Sequence, residues 1–172
     1  LVLAIATAGR VSAQGEKTSS LLTLRGRYQE ALDEWQQARA RLVQAWCDDY
    51  AAGLDRLEKD LKGQGDLVGL YQVREERDRF LRTREIPTET AYSLESLLAL
   101  QGKFRERSDR EVLDLSSKLV TLNQSYVRQL AALESTLERQ KDTDGAAAVS
   151  AEIDKVLEDP LVQGALAKVR GS

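Results

Sequence analysis

Histidine is absent from the 172 residues. Its absence removes the commonest general base, every His-dependent triad and every His-containing metal site. A single cysteine, Cys47, excludes an internal disulfide and a cysteine cage for zinc. With only 2 Pro, 11 Gly and 5% aromatic residues, a chain rich in Leu, Ala, Glu, Gln, Arg and Lys has long stretches free to be helical. Methionine is missing too, the initiator included, so the sequence is expected to start inside a longer precursor. No charge of one sign dominates: 25 basic residues face 28 acidic ones, for a net charge of −3. Arg74, Arg77, Arg79, Arg82 and Arg84 are the densest basic stretch, but Glu75, Glu76, Asp78 and Glu85 are interleaved with them. That pattern describes a solvated, ion-paired helix face and not a cationic surface for nucleic acid.

The first residues, Leu1 to Ala13, form an apolar run closed by the small residues Val11 and Ala13. They read as the remnant of a secretory signal peptide cleaved after Ala13, followed by a polar linker over 14–20. The expected location is bacterial and exported, periplasmic or extracellular. The run is too short to cross a bilayer, so no stable membrane insertion is expected after cleavage. Cys47, beside Trp46, reads as a small apolar filler, the alternative being a cross-link between chains.

The most informative feature is a gapless duplication at an offset of 76 residues. Leu21, Leu22, Leu24, Gly26, Tyr28 and Glu30 align with Leu97, Leu98, Leu100, Gly102, Phe104 and Glu106. Tyr50, Leu54, Leu57 and Leu61 align with Tyr126, Leu130, Leu133 and Leu137. Beyond the turn, Asp66, Gly69, Val73, Glu76 and Asp78 align with Asp142, Gly145, Val149, Glu152 and Asp154. Amphipathicity alone demands leucines; it does not demand paired glycines, tyrosines and aspartates.

Each copy reads as a long helix, a tight turn and a shorter helix. In the first, apolar residues recur at steps of three and four from Leu21 to Leu61, close to the period of a straight helix. The second stripe, Leu97 to Leu137, is interrupted at Ser108 and Glu111. Gly65 is expected to stop the first long helix, with Asp66 as the N-cap of the next and Gly69 in its first turn. Asp142 and Gly145 play those parts in the second copy, where Lys141 stands in place of Gly65 and implies a differently closed turn. Gly69, Gly145, Gly26 and Gly102 are expected to permit close helix approach. Pro87 and Pro160 read as helix stops. The expected organisation is a first hairpin over 21–86, a linker over 87–96, a second hairpin over 97–159 and a tail over 160–172 with one short amphipathic segment. Neither hairpin can bury its stripe alone. The fold class is therefore all-α: two tandem long-short hairpins forming an elongated antiparallel four-helix bundle.

No nucleophile elbow, phosphate loop or dinucleotide fingerprint is present. The repeated acids Glu30/Glu106, Asp33/Asp109, Glu76/Glu152 and Asp78/Asp154 form, without histidine, at most an all-oxygen site for a hard cation. The plainer reading pairs them with nearby cations, Glu76 with Arg79 and Glu152 with Lys155, each three residues apart. Tyr28, Trp35, Trp46, Tyr50, Phe104 and Tyr126 all fall on the stripes, so core packing with hydroxyls at the rim outranks a sugar-stacking platform. No catalytic residue, cofactor or metal ligand is expected, and a small-molecule partner is not indicated.

The run Tyr50-x3-Leu54-x2-Leu57-x3-Leu61-x3-Gly65-Asp66-x2-Gly69-x3-Val73-x2-Glu76 resembles a helical-hairpin pattern of uncharacterised secreted bacterial proteins, with a departure at Lys141 in the second copy. The resemblance implies a scaffold or interaction role and supplies no catalytic residue. The function expected is a non-enzymatic helical scaffold or protein-interaction module working through a protein partner or self-association. The alternatives are a periplasmic adaptor or holdase-type chaperone, and an accessory domain of a carbohydrate-active or envelope protein.

Overall fold

The computed structural model describes residues 8–87 and 92–171. Leu1 to Thr7, the first half of the expected signal remnant, lie outside the described residues, as do residues 88–91 of the expected linker. The described chain is all-α, with five helices and no strand: α1 (Ala8–Gln64), α2 (Leu67–Thr83), α3 (Glu95–Arg139), α4 (Thr143–Leu157) and α5 (Pro160–Arg170). The polar segment 14–20 belongs to α1, since it holds no proline and one glycine and offers nothing to break a helix. None of these helices is long and apolar enough to cross a membrane.

The turns that end the long helices follow from local chemistry. Gly65 adopts φ +72°, and the Asp66 amide reaches back to the Leu61 carbonyl at 3.1 Å. Asp66 then caps α2, its carboxylate accepting from the Gly69 amide at 2.9 Å. The second turn closes in the same way and not, as its lysine implied, differently. Lys141 takes φ +57°, the Asp142 amide reaches Leu137 O at 2.9 Å, and Asp142 accepts from Gly145 N at 3.1 Å. The Schellman-like bonds and the cap hold the lysine where glycine would sit without cost. Lys141→Gly is therefore expected to stabilise the protein by about 1 kcal/mol, read as a raised urea midpoint.

Gly69 and Gly145 fit tightly against the capping aspartates. A Cβ at Gly69 would stand 2.5 Å from the Asp66 carboxylate and 3.2 Å from Leu61, and one at Gly145 would stand 2.9 Å from the Asp142 carboxylate. They make room first for the capping side chain. Gly26 and Gly102 have nothing within 4 Å of such a Cβ, so the close approach expected there is not formed. Pro160 follows the end of α4 but also opens α5: Asp159 caps that helix by accepting from Leu161 N at 2.8 Å, and the first helical position needs no N–H.

The described chain divides into two compact units that cut across the duplication. A central unit spans Gln37–Val112, and a terminal unit comprises the rest. The central unit joins the second half of α1, α2 and the first part of α3. Its core holds Tyr50, Leu54, Leu61, Val73, Phe80, Leu97 and Phe104, with Ile86, Tyr92 and Leu94 packed against it. The terminal unit joins the first half of α1, the later part of α3, α4 and α5, around Tyr126, Leu130, Leu137, Val149 and Val156. Within each unit the α1 and α3 segments run antiparallel and the repeats meet reciprocally. Tyr50 stands edge-on to Phe104 at 5.3 Å, and the equivalent pair, Tyr126 and Tyr28, stacks at 4.1 Å. In each unit a segment of one long helix thus packs against a short helix and against a segment of the other long helix.

Candidate functional site

Two buried polar networks occupy equivalent places in the two units. In the central unit, Glu76 is fully buried and accepts from the Tyr50 hydroxyl at 2.7 Å. Arg79, one turn along α2, closes a fork on the same carboxylate with Nε at 2.7 Å and Nη2 at 2.8 Å. Arg79 also donates to the Glu85 carbonyl, so the carboxylate ties α1, α2 and the chain leaving α2 together. In the terminal unit, Glu152 accepts from Tyr126 Oη at 3.2 Å. Its cation is not Lys155, as the spacing suggested, but Arg25 of α1, at 2.6 Å. Arg25 aligns with Gln101 of the second repeat. Gln101 is 1% exposed, and its amide makes no hydrogen bond of normal geometry. The same buried carboxylate is thus neutralised from its own helix in one unit and from the facing repeat in the other.

The electrostatics hold both network tyrosines as hydroxyl donors. Burial, then the Glu76 carboxylate, pushes the Tyr50 hydroxyl far above its ordinary value. Burial and Glu152 push Tyr126 up to about 12. A phenol so shifted stays protonated and serves as a donor. Burial raises the Glu152 carboxyl, but Arg25 and the Tyr126 hydroxyl outweigh it and hold it below the usual carboxylate value. A lowered carboxylate stabilises the fold above its unfolded value of about 4.3 and loses that contribution as pH falls through its folded value. Glu152→Gln is expected to narrow its stability deficit against the natural chain between pH 6 and pH 3, as measured by urea unfolding; a deficit that widens would refute the sign.

Other sequence-derived candidates are placed as follows. Gly65, Asp66, Gly69, Asp142 and Gly145 form the two turns described above and no pocket. Glu30, Asp33, Glu106, Asp109, Asp78 and Asp154 are exposed. Among the described residues, no group of three or more cysteine and acidic side chains is arranged to hold a metal ion. Glu58 draws in both Arg74 at 2.8 Å and Arg77 at 3.0 Å, a clamp of α2 on α1 that lowers the Glu58 carboxyl through the Arg74 bond first. The tyrosine hydroxyls expected at the rim point inward: Tyr50 and Tyr126 to the buried glutamates, and Tyr28 to Asn123 at 2.5 Å. Trp35 donates to the Leu115 carbonyl at 2.9 Å. Cys47 is buried, which raises its thiol and matches its reading as a filler.

Two features escaped the sequence reading. On α2, Leu67, Val68 and Tyr71 are 76%, 71% and 68% exposed side by side, in the first turns after the Asp66 cap. In the terminal unit, α3, α4 and α5 enclose an open apolar cleft of about 310 Å³, walled by Val120, Val127, Val156, Leu157, Val162 and Leu166. Asn123, Gln124 and Arg128 supply its polar groups. The helical stripe could not reveal the cleft, because α5 closes one side of it. No protein-family model, curated protein or solved structure matches this chain.

Proposed function

We propose that the chain is an exported, non-enzymatic helical scaffold acting by protein contact, in keeping with the secreted helical-hairpin proteins its turn resembles. The reading takes the two tandem hairpins as one antiparallel four-helix bundle, which the reciprocal contacts between repeats in each unit support. The observation that carries it is the exposed Leu67–Val68–Tyr71 surface of α2. Leu67 and Tyr71 lie one turn apart on the same side of α2, with Val68 flanking them, and leaving them in water forgoes about 1.5–3 kcal/mol for each large side chain. The buried chemistry is meanwhile spent on holding helices together. A face of this kind is the recognition surface of a helix offered to a partner groove or helix.

The test places a photo-cross-linking residue at Tyr71, and at Arg82 near the other end of α2, in the full chain exposed to a bacterial envelope extract. Cross-links formed at position 71, missing at position 82 and lost on Leu67→Ser are expected. Equal labelling at both positions would refute the assignment. Suppression of client aggregation at near-stoichiometric amounts would favour the holdase reading.

A further inference from the structure

We propose that the cleft of the terminal unit binds a free medium-chain fatty acid, its acyl chain among the valines and leucines and its carboxylate at Arg128. The inference stands apart from the α2 surface and rests on the way the two repeats differ. At the position equivalent to Val156 the central unit carries a ring. Phe80 is fully buried there, packed edge-on to Tyr50 at 4.7 Å and near Trp46 at 6.2 Å. The residues aligned with Phe80 and Trp46 are Val156 and Leu122. Of these two, Val156 lines the cleft: a ring has been replaced there by a smaller aliphatic side chain, and space remains beside it. Interiors normally pack to crystal-like density, so retained space with an apolar wall has the character of a ligand site. Its volume of about 310 Å³ lies at the small end of such sites, about 300–1,000 Å³.

The polar groups of the cleft differ between the repeats in the same sense. Cys47 of the first repeat, a buried filler, is Asn123 in the second. Asn123 is 4% exposed, accepts from Tyr28 and donates one N–H to the Leu119 carbonyl. An amide carries two N–H donors, so one is left for an acceptor in the cleft. Ala52 of the first repeat is Arg128 in the second. The Arg128 Nε donates to the Gln124 carbonyl, and among the described residues no carboxylate forms an ion pair with the guanidinium. An apolar wall, one buried amide and one cation at the mouth match an acyl chain that ends in an anion. Leu157 lies 45% exposed on the cleft, an exposure that an acyl chain would cover.

The test titrates the full chain with decanoate and, separately, with decanol, by calorimetry. Saturable one-to-one binding of decanoate is expected. Val156→Phe restores the ring that the first repeat accommodates, and Leu166→Trp blocks the cleft from α5, so the two variants fill it from different helices. Each is expected to abolish binding while circular dichroism shows the helices retained. Arg128→Gln is expected to weaken decanoate about tenfold or more, the worth of one charge-assisted hydrogen bond, and to leave decanol unchanged. Natural affinity in a folded Val156→Phe or Leu166→Trp chain, equal loss of decanol and decanoate in Arg128→Gln, or no saturable binding would overturn the proposal. So would a concentration-dependent dimer that Val156→Phe dissolves, which would seat a second copy in the cleft. Binding of anionic phosphatidylglycerol vesicles in place of decanoate would overturn it as well.

Discussion

Glu76→Ala is expected to lower the unfolding free energy by about 3–5 kcal/mol, the range for removing one partner of a buried ion pair. The carboxylate has no contact with water and carries three hydrogen bonds: one from Tyr50 and two from the Arg79 fork. Truncation leaves a fully buried phenol without its acceptor and a guanidinium only 26% exposed without its counter-ion. Glu152→Ala removes the equivalent carboxylate and is expected to cost less, about 1–3 kcal/mol. Its cation, Arg25, is 47% exposed and can turn back to water, and the bond to Tyr126 is longer at 3.2 Å. Urea unfolding at pH 7, followed by circular dichroism, decides between the two. Equal losses would mean that the source of the cation, same helix or facing repeat, has no bearing on the energetics.

Leu54→Ala and Leu130→Ala are each expected to cost about 3–5 kcal/mol, because both side chains are fully buried and their removal leaves a cavity in a packed core. Their neighbours on the stripe, Leu57 and Leu133, are half-buried and only border those cores. Leu57→Ala and Leu133→Ala are expected to cost about 1–2 kcal/mol, in line with the smaller area withdrawn from water. The stripe alone makes all four leucines equivalent. The facing helix separates them, since in each unit the α1 and α3 segments and the short helix meet over positions 54 and 130. The same unfolding experiment ranks the four variants. A cost at Leu57 matching that at Leu54 would place the centre of the core one helical turn away from where the structure has it.

What could be read without coordinates is what depends on near neighbours in the chain. Helix periodicity is a property of residues three and four apart, so α2 to α4, and α1 from Leu21 onward, were legible from their apolar residues, while the start of α1 was read as a signal remnant and a linker. A cap is a property of residues two or three apart, so Asp66 and Asp142 were legible as well. The matching of the two turns was legible because Gly69 and Gly145 each stand three residues after a capping aspartate. Lys141 misled because the turn holds it in a left-handed conformation through backbone bonds, and those do not depend on the side chain. The pairing of Glu152 was hidden because its cation lies 127 residues away, and an exposed lysine three residues along looked sufficient. The cleft was hidden for a related reason. The replacement of Phe80 by Val156 is visible in the sequence, but whether a core shrinks around a smaller residue or keeps the space is settled by the surrounding helices. The amino-acid order thus determined most of the helices and the capped turns after the two long ones, set by contacts within a turn or two. The three-dimensional packing decided which carboxylate meets which cation and where a void persists, because both depend on segments brought together from distant parts of the chain.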